Sequence, residues 1–271
     1  MGEGRLQGKV AIVTGAASQG KGVGNGKAIS ILFAREGAEL FLVNRTLSHA
    51  QELQEEIEAD GGTASSFGAD VTRAPAVERM VQAAVERFGR LDILVNNVGG
   101  GFPGMGTAVT VEEEGWDKVI ALNLKSSMLC SRFSIPRMID TGGGAIINVS
   151  SMAAMAGARI PGSGFTAYAA GKAGLEGLTR AMAADHAREG VRVNSLLVGM
   201  VWTPLVSGLG DEVREARRRA VPLRVEGTAW DVAWAAVFLA SDEARWITGV
   251  SLPVDGGSLV VRRWPGVSEE D

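Results

Sequence analysis

Short apolar runs rich in β-branched residues alternate along the chain with longer stretches whose apolar positions recur at helical spacing. "KVAIVT" (Lys9–Thr14) reads as a buried strand, and the stretch after it carries Ile29, Leu32 and Phe33 on one helical stripe running to Glu36. "ELFLVN" (Glu39–Asn44) is a second strand, followed by a polar-faced helix over "SHAQELQEEIEAD" that stops at Gly61-Gly62. "TASSFGADV" is a weaker third strand, leading into a helix over Pro75–Phe88. The strands "LDILVNN" and "GAIINVSS" flank one long helix over Glu112–Ile139. A helix over Ala167–Glu189 precedes "VRVNSLLV", and a last helix over Thr228–Ala240 precedes "VSLPVDGG".

Strands that are apolar on both faces and alternate with helices imply a parallel sheet covered on both sides. Right-handed crossovers then give a Rossmann-like, doubly wound α/β sheet, with its ligand beyond the carboxyl ends of the strands. The 271 residues suit a single domain, with a C-terminal tail from about residue 259 as a surface or subunit-contact segment.

Composition removes several classes of function. A net charge of −4 leaves no basic excess to displace phosphate counterions, which argues against nucleic acid. The one cysteine, Cys130, excludes an intrachain disulfide and a cysteine-cluster metal site. The two histidines, His49 and His186, stand apart among charged helical residues, so no metal is expected. The N-terminus lacks the apolar core of a signal peptide, and no apolar run approaches membrane-spanning length. A cytoplasmic protein without membrane partners is the expectation.

The first strand runs into "TGAASQGKGVGNG", which holds five glycines between Gly15 and Gly26. Glycines there permit a tight turn and close backbone approach to a pyrophosphate, at a helix N-terminus that attracts the anion. If Gly20 and Gly22 opened the helix, Gly24 and Gly26 would fall inside it at about 1 kcal/mol each. The expected start is therefore near Asn25. Gly15, Gly24 and Gly26, with Ser18, take the phosphate-turn roles, and Gln19–Val23 form an extension.

The chemistry is carried by "AYAAGKAG". Tyr168 and Lys172 are four residues apart on a helix, so they share a face at about 5–6 Å. A nearby ammonium favours the phenolate, which would bring the only tyrosine of the chain towards working range. Ser151 ends the strand "INVSS", "NNVGG" ends another, and "LNLKS" carries Asn123 in the long helix.

These motifs, with "DVT" at Asp70–Thr72, "VRVN" and "ITGVSLPVDGG", resemble the single-domain short-chain dehydrogenases/reductases from Leu6 to about Gly257. The resemblance implies reversible hydride transfer between a nicotinamide and a carbonyl or alcohol carbon. It implies that Tyr168 moves the proton, that Lys172 holds the nicotinamide ribose and that Ser151 polarises the carbonyl oxygen. Asn123 would hold a relay water. Asp70 and Val71 would meet the adenine, and Asn96, Val98 and Gly99 the adenosine side. Thr203 would meet the carboxamide, with Gly199 and Val201 also among the cofactor contacts. Three departures stand out: Val198-Gly199 in place of the usual Pro-Gly, extra residues between Ser151 and Tyr168, and the extended glycine turn. That turn resembles the one in enoyl-carrier-protein reductases, which place their tyrosine seven positions before the lysine, at Phe165 here. Enoyl reduction and a non-catalytic, cofactor-binding role are the alternatives to carbonyl chemistry.

At the end of the second strand stands Asn44, where an acidic residue would bind ribose hydroxyls and repel a 2′-phosphate. Arg45 follows, a planar fork suited to phosphate, and Lys21 in the extension is expected to assist. NADP(H) is favoured over NAD(H). Met155, Phe165, Met200, Trp202 and Leu205, with Ser151 and Tyr168, suggest an apolar pocket for a hydrophobic ketone or secondary alcohol. The run "REARRR" (Arg214–Arg219) reads as a solvated helix face, or as a grip for an acidic carrier protein. A homotetramer or homodimer is expected from the resemblance, with Leu175, Leu178 and the Trp246–Leu259 segment as candidate contacts.

Overall fold

The computed structural model describes residues 4–18, 22–101, 106–157 and 164–261. Seven parallel strands form its centre: β1 (Val10–Thr14), β2 (Glu39–Asn44), β3 (Thr63–Gly68), β4 (Ile93–Asn96), β5 (Gly144–Val149), β6 (Val191–Val198) and β9 (Ser251–Val254). A second, two-stranded pair joins β7 (Val201–Trp202) to β8 (Gly227–Thr228). The helices are α1 (Asn25–Arg35), α2 (Leu47–Ala59), α3 (Ala74–Phe88), α4 (Glu113–Ile120), α5 (Ser126–Asp140), α6 (Thr166–His186), α7 (Asp211–Ala220) and α8 (Ala229–Ala240).

The sheet order is β3-β2-β1-β4-β5-β6-β9, so the chain reverses its direction of winding between β1 and β4. That switch point opens a crevice at the carboxyl ends of the strands. Successive strand residues feed opposite faces, as a period of two requires. Val13, Leu40 and Leu42 pack with Ile29, Phe33 and Val237 under α1 and α8. Ile12, Phe41 and Val43 pack with Val77, Met80 and Leu129 under α3 and α5.

The apolar pattern predicts these strands, with α1 opening at Asn25 behind Gly24. Four details differ. The third strand ends at Gly68, because Ala69–Arg73 turn towards α3. The long helix over 112–139 is interrupted by a π-helical segment at Ala121–Lys125, marked by Ser126 N–H donating to the Ala121 carbonyl. Val198 is the last residue of β6 and pairs with Val254, so its backbone is held by the ladder without a proline. The subunit contact expected at Leu175 is not available, since that side chain is buried in the fold.

A buried polar ladder crosses the sheet below the crevice. Asn96 Nδ2 donates to Asn148 Oδ1 at 2.9 Å and to Ser131 Oγ at 3.3 Å. Asn148 Nδ2 donates to Thr179 Oγ1 at 2.9 Å, which donates to the Leu175 carbonyl. The ladder ties β4, β5, α5 and α6 together, and it turns the Asn96 side chain into the core rather than towards an adenosine. Removing one member leaves buried donors and acceptors unpaired, at about 1–3 kcal/mol. Asn148→Ala is expected to lower the unfolding free energy from urea titration by that amount while leaving the far-ultraviolet circular dichroism unchanged.

Candidate active site

The turn after β1 is built by close approach. Gly15 has φ +61°, and a β-carbon at Gly26 would collide with the Gly15 carbonyl. At Gly24 an added β-carbon would lie 2.9 Å from Ser18 Oγ. Ser18 Oγ accepts from Gly24 N–H at 2.7 Å and so closes the neck of the extension. At the far side, Gly22 with φ +114° stands against Pro204. This glycine-lined cradle at the N-terminus of α1 fits a pyrophosphate. Lys21 lies outside the described residues.

Two asparagines fasten the turn, and pattern reading assigned neither that task. Asn44 Oδ1 accepts from Ala17 N–H at 2.9 Å and its Nδ2 donates to the Ala17 carbonyl, so the side chain serves the turn rather than a ribose. Asn97 Nδ2 donates to the Gly15 carbonyl at 2.9 Å. Val98 packs against Gly15 from the same loop. Arg45 is exposed next along the chain from Asn44. Asp70 Oδ1 accepts from both Thr72 N–H and Thr72 Oγ1. Partial burial pushes the Asp70 pKa up, but those bonds and the charges of Arg45 and Arg73 outweigh it and hold it below the ordinary range. Arg45 and Asp70 therefore share one electrostatic neighbourhood, beside the buried Val71.

At the other end of the crevice, β5 and α6 bring Ser151, Tyr168 and Lys172 together. Ser151 Oγ accepts from Ala153 N–H at 3.2 Å and, despite the long interval in sequence, lies near enough to the Tyr168 hydroxyl to pull its pKa down. Lys172 is 3% exposed, donates to the Val149 carbonyl at 2.8 Å and places Nζ 5.8 Å from the Tyr168 ring centroid. Asn123 lies in the π-helical segment, where Oδ1 accepts from Gly100 N–H at 3.1 Å. Its Nδ2 donates to the Gly100 and Val119 carbonyls at 2.7 and 2.9 Å. Gly99 fits beneath, since a β-carbon there would lie 2.8 Å from Asn123 Oδ1 and 2.9 Å from Lys172 Nζ. π-Segments of this kind concentrate at functional sites.

The tyrosine does not show the depressed pKa expected from its spacing to Lys172. Burial pushes the Tyr168 hydroxyl above its ordinary value, and the neighbouring Ser151 hydroxyl only partly offsets that. Burial acts on Lys172 as well and brings its pKa from 10.5 down to about 8, against the opposing pull of the Glu176 carboxylate.

The expected pocket residues are only partly gathered. Phe165 sits 5.7 Å from Tyr168, ring to ring, and Gly106 bridges to Phe165, stitching two walls. Met200, Thr203 and Trp202 are half-buried on the segment after β6, as are Gly199 and Val201. Gly199 is required there, because a β-carbon would press 2.6 Å from Asp255 Cα. Met155 and Leu205 are 64% and 76% exposed and do not close a chamber. The basic run is neither a plain solvated face nor a free grip. Arg214 pairs with Glu226 and lies over Trp202, Arg218 and Arg219 pair with Glu215, and Arg217 donates to the Val201 carbonyl.

A family model described as enoyl-(acyl carrier protein) reductase matches residues 15–258. A solved structure from Burkholderia xenovorans, described as a short-chain dehydrogenase/reductase, superposes with a TM-score of 0.89 at 42% identity, covering 96% of this chain and 100% of its own. The chain belongs to the short-chain dehydrogenase/reductase family. It is similar to a 3-oxoacyl-[acyl-carrier-protein] reductase of Thermotoga maritima, 36% identical over 94% of this chain and 100% of the relative. It is also similar to a D-threitol dehydrogenase of Mycolicibacterium smegmatis, 37% identical over 94% and 95%. Membership makes the chain an oxidoreductase that uses a nicotinamide dinucleotide, and the glycine cradle fits that group. Among the described residues no helix is long and apolar enough to cross a membrane, and no cluster of His, Cys, Asp or Glu suits a metal ion.

The buried lysine has a measurable signature. Between pH 8 and 10.5 the unfolded chain keeps the Lys172 proton while the folded chain releases it. The unfolded state then binds more protons, so this group's contribution to stability rises with pH across that window. The melting temperature of the native protein, relative to Lys172→Met, is expected to climb over the same range in a calorimetric pH series.

Proposed function

We propose that this chain interconverts a ketone and a secondary alcohol, using NADP(H) in preference to NAD(H), with Tyr168 as acid and base. The observation that supports this most is Tyr168 standing 5.8 Å, ring centroid to Nζ, from the buried Lys172, which the Val149 carbonyl anchors at the carboxyl edge of the sheet beside Ser151. When bound, the nicotinamide supplies or accepts the hydride. Tyr168 delivers its hydroxyl proton to the carbonyl oxygen in reduction and recovers it in oxidation. Ser151 donates to the same oxygen, and Lys172, anchored by the Val149 carbonyl, turns its remaining protons towards the ribose and the phenol. Asn123 holds the Gly100 backbone and, in this reading, a relay water behind Lys172. The names of the Thermotoga and Mycolicibacterium relatives, an oxoacyl reductase and a polyol dehydrogenase, both describe chemistry at an oxygen-bearing carbon.

The description of the matching family model and the long glycine turn favour a second reading, enoyl reduction. Phe165 stands seven positions before Lys172, where enoyl reductases place their tyrosine, and its ring has no proton to give. Ketone reduction therefore takes precedence. The exposed Trp234 and Trp246, the latter 92% accessible, support the expected homotetramer or homodimer through the C-terminal region.

A panel of ketones, acetoacetyl thioesters and enoyl thioesters should show turnover of the oxo compounds. Tyr168→Phe should lower kcat/KM by about 10²–10⁴. Preference for the enoyl thioester, or survival of ketone turnover in Tyr168→Phe, would overturn the assignment.

The cofactor preference follows from β2. Asn44 brings no negative charge to repel a 2′-phosphate, and Arg45 is exposed beside it. A charge-assisted bond contributes about 1.5–3 kcal/mol, so Arg45→Ala should raise KM for NADPH by about tenfold or more and leave that for NADH unchanged. A native preference for NADH would contradict this reading.

A further inference from the structure

One turn beyond Lys172, α6 buries a second charged side chain. Glu176 is 2% exposed, although it sits in the helical sequence "KAGLEGLTR". Its Oε2 accepts from Ser195 Oγ of β6 at 2.7 Å and from Ser251 Oγ of β9. Its Oε1 is buried with no hydrogen-bond partner. A buried carboxylate held by two neutral hydroxyls is costly unless a cation offsets it. The cation on the same face of the helix, four residues back, is Lys172.

We propose that Glu176 is a positioning residue of the hydride-transfer site, a buried counter-charge that keeps Lys172 an ammonium where it meets Tyr168 and the cofactor. The inference rests on the role given to Lys172 above. Two hydroxyls from neighbouring strands fix the carboxylate, and the helix fixes its spacing to the lysine. Lys172 in turn donates to the Val149 carbonyl. Removing Glu176 leaves the ammonium in an apolar site with only neutral acceptors.

Other ionisable groups on the packed elements do not share this task. Asp117 and Lys118 of α4, Lys125 of the π-segment, and Arg188 and Glu189 after α6 are exposed. Arg192 of β6 donates to the Leu239, Ser241 and Ile247 carbonyls, on the far side of the strand. Asp255, after β9, accepts from the Gly257 and Leu259 amides. The Coulombic pull that opposes burial at Lys172 comes from Glu176.

The test compares native protein with Glu176→Gln, which keeps the shape and removes the charge. Two readouts are taken: kcat/KM for a ketone with NADPH against pH, and the pH dependence of melting temperature without cofactor. The alkaline limb of activity is expected to move down by about one pH unit, with about fivefold lower kcat/KM at pH 8 and near-native values at pH 6.5. The Lys172-dependent rise in melting temperature should begin at correspondingly lower pH. If Glu176→Gln does not fold, Ser251→Ala, which removes one donor to the carboxylate, should move both readouts the same way by less. Coincidence of both readouts with native protein, in whichever variant folds, overturns the proposal. Active Tyr168→Phe would instead overturn the acid–base assignment, and it leaves the cofactor-free melting series of Glu176→Gln to be judged separately.

Discussion

A lysine held almost entirely out of water is the constraint around which the β5–α6 half of the candidate site is arranged. Burial favours the neutral amine and brings the Lys172 pKa down to about 8. The Val149 carbonyl at the end of β5 accepts from Lys172, and the Glu176 carboxylate, one turn on along α6, opposes the effect of burial through its charge. Gly99 has to be a glycine so that Lys172 and Asn123 can approach the loop after β4. The π-segment brings Asn123 to grip Gly100 at both its N–H and its carbonyl. Each of these features costs something locally, in a widened helix turn or a buried carboxylate. They make structural sense together because they define one cationic position beside one tyrosine.

The other half of the crevice follows a different rule, that of space. The glycine turn contributes backbone rather than side chains, and its shape is imposed from outside. Asn44 holds Ala17, Asn97 holds Gly15, and Ser18 holds Gly24. The neck of the extension is thereby fixed at residues on either side of it, and Gly22 reaches the segment after β6 at Pro204. The glycine turn and the segment after β6 thus meet across the mouth of the crevice.

Strands buried on both faces were legible because each is a continuous apolar run, and the register follows from which face each side chain feeds. β3 was weaker in sequence because much of it is only half-covered, and its predicted length ran into the Asp70 turn. The π-segment at Ala121–Lys125 was not legible: its inserted residue turns the downstream stripe by about 100°, a break that an apolar pattern alone does not assign to a π-turn. β7 and β8 are two residues each, formed by tertiary contact and not by propensity. Tyr168, Lys172, Ser151 and Asn123 were legible as motif residues. The direction of the Tyr168 pKa was not, because spacing reveals a neighbour but not burial. Glu176 escaped for the same reason: in one dimension it is an ordinary polar helix position, and only β6 and β9 turn it inward.

The division between a fixed centre and a variable rim bears on how one scaffold serves different substrates. Tyr168 and Lys172 stand on a 21-residue helix packed against the sheet, so their geometry is set by the core. Met155, Leu205 and the α7 segment are tied to the rest by surface pairs such as Arg214–Glu226 and by the Arg214–Trp202 contact. Exposed ion pairs contribute little individually, so this rim can be rebuilt at small cost in stability. A relative named for an acyl-carrier substrate and one named for a four-carbon polyol are similarly distant from this chain, at 36% and 37% identity. Under the proposed function, changes at the rim would alter which substrate arrives, whereas changes near Lys172 would disturb the charge balance of the buried centre.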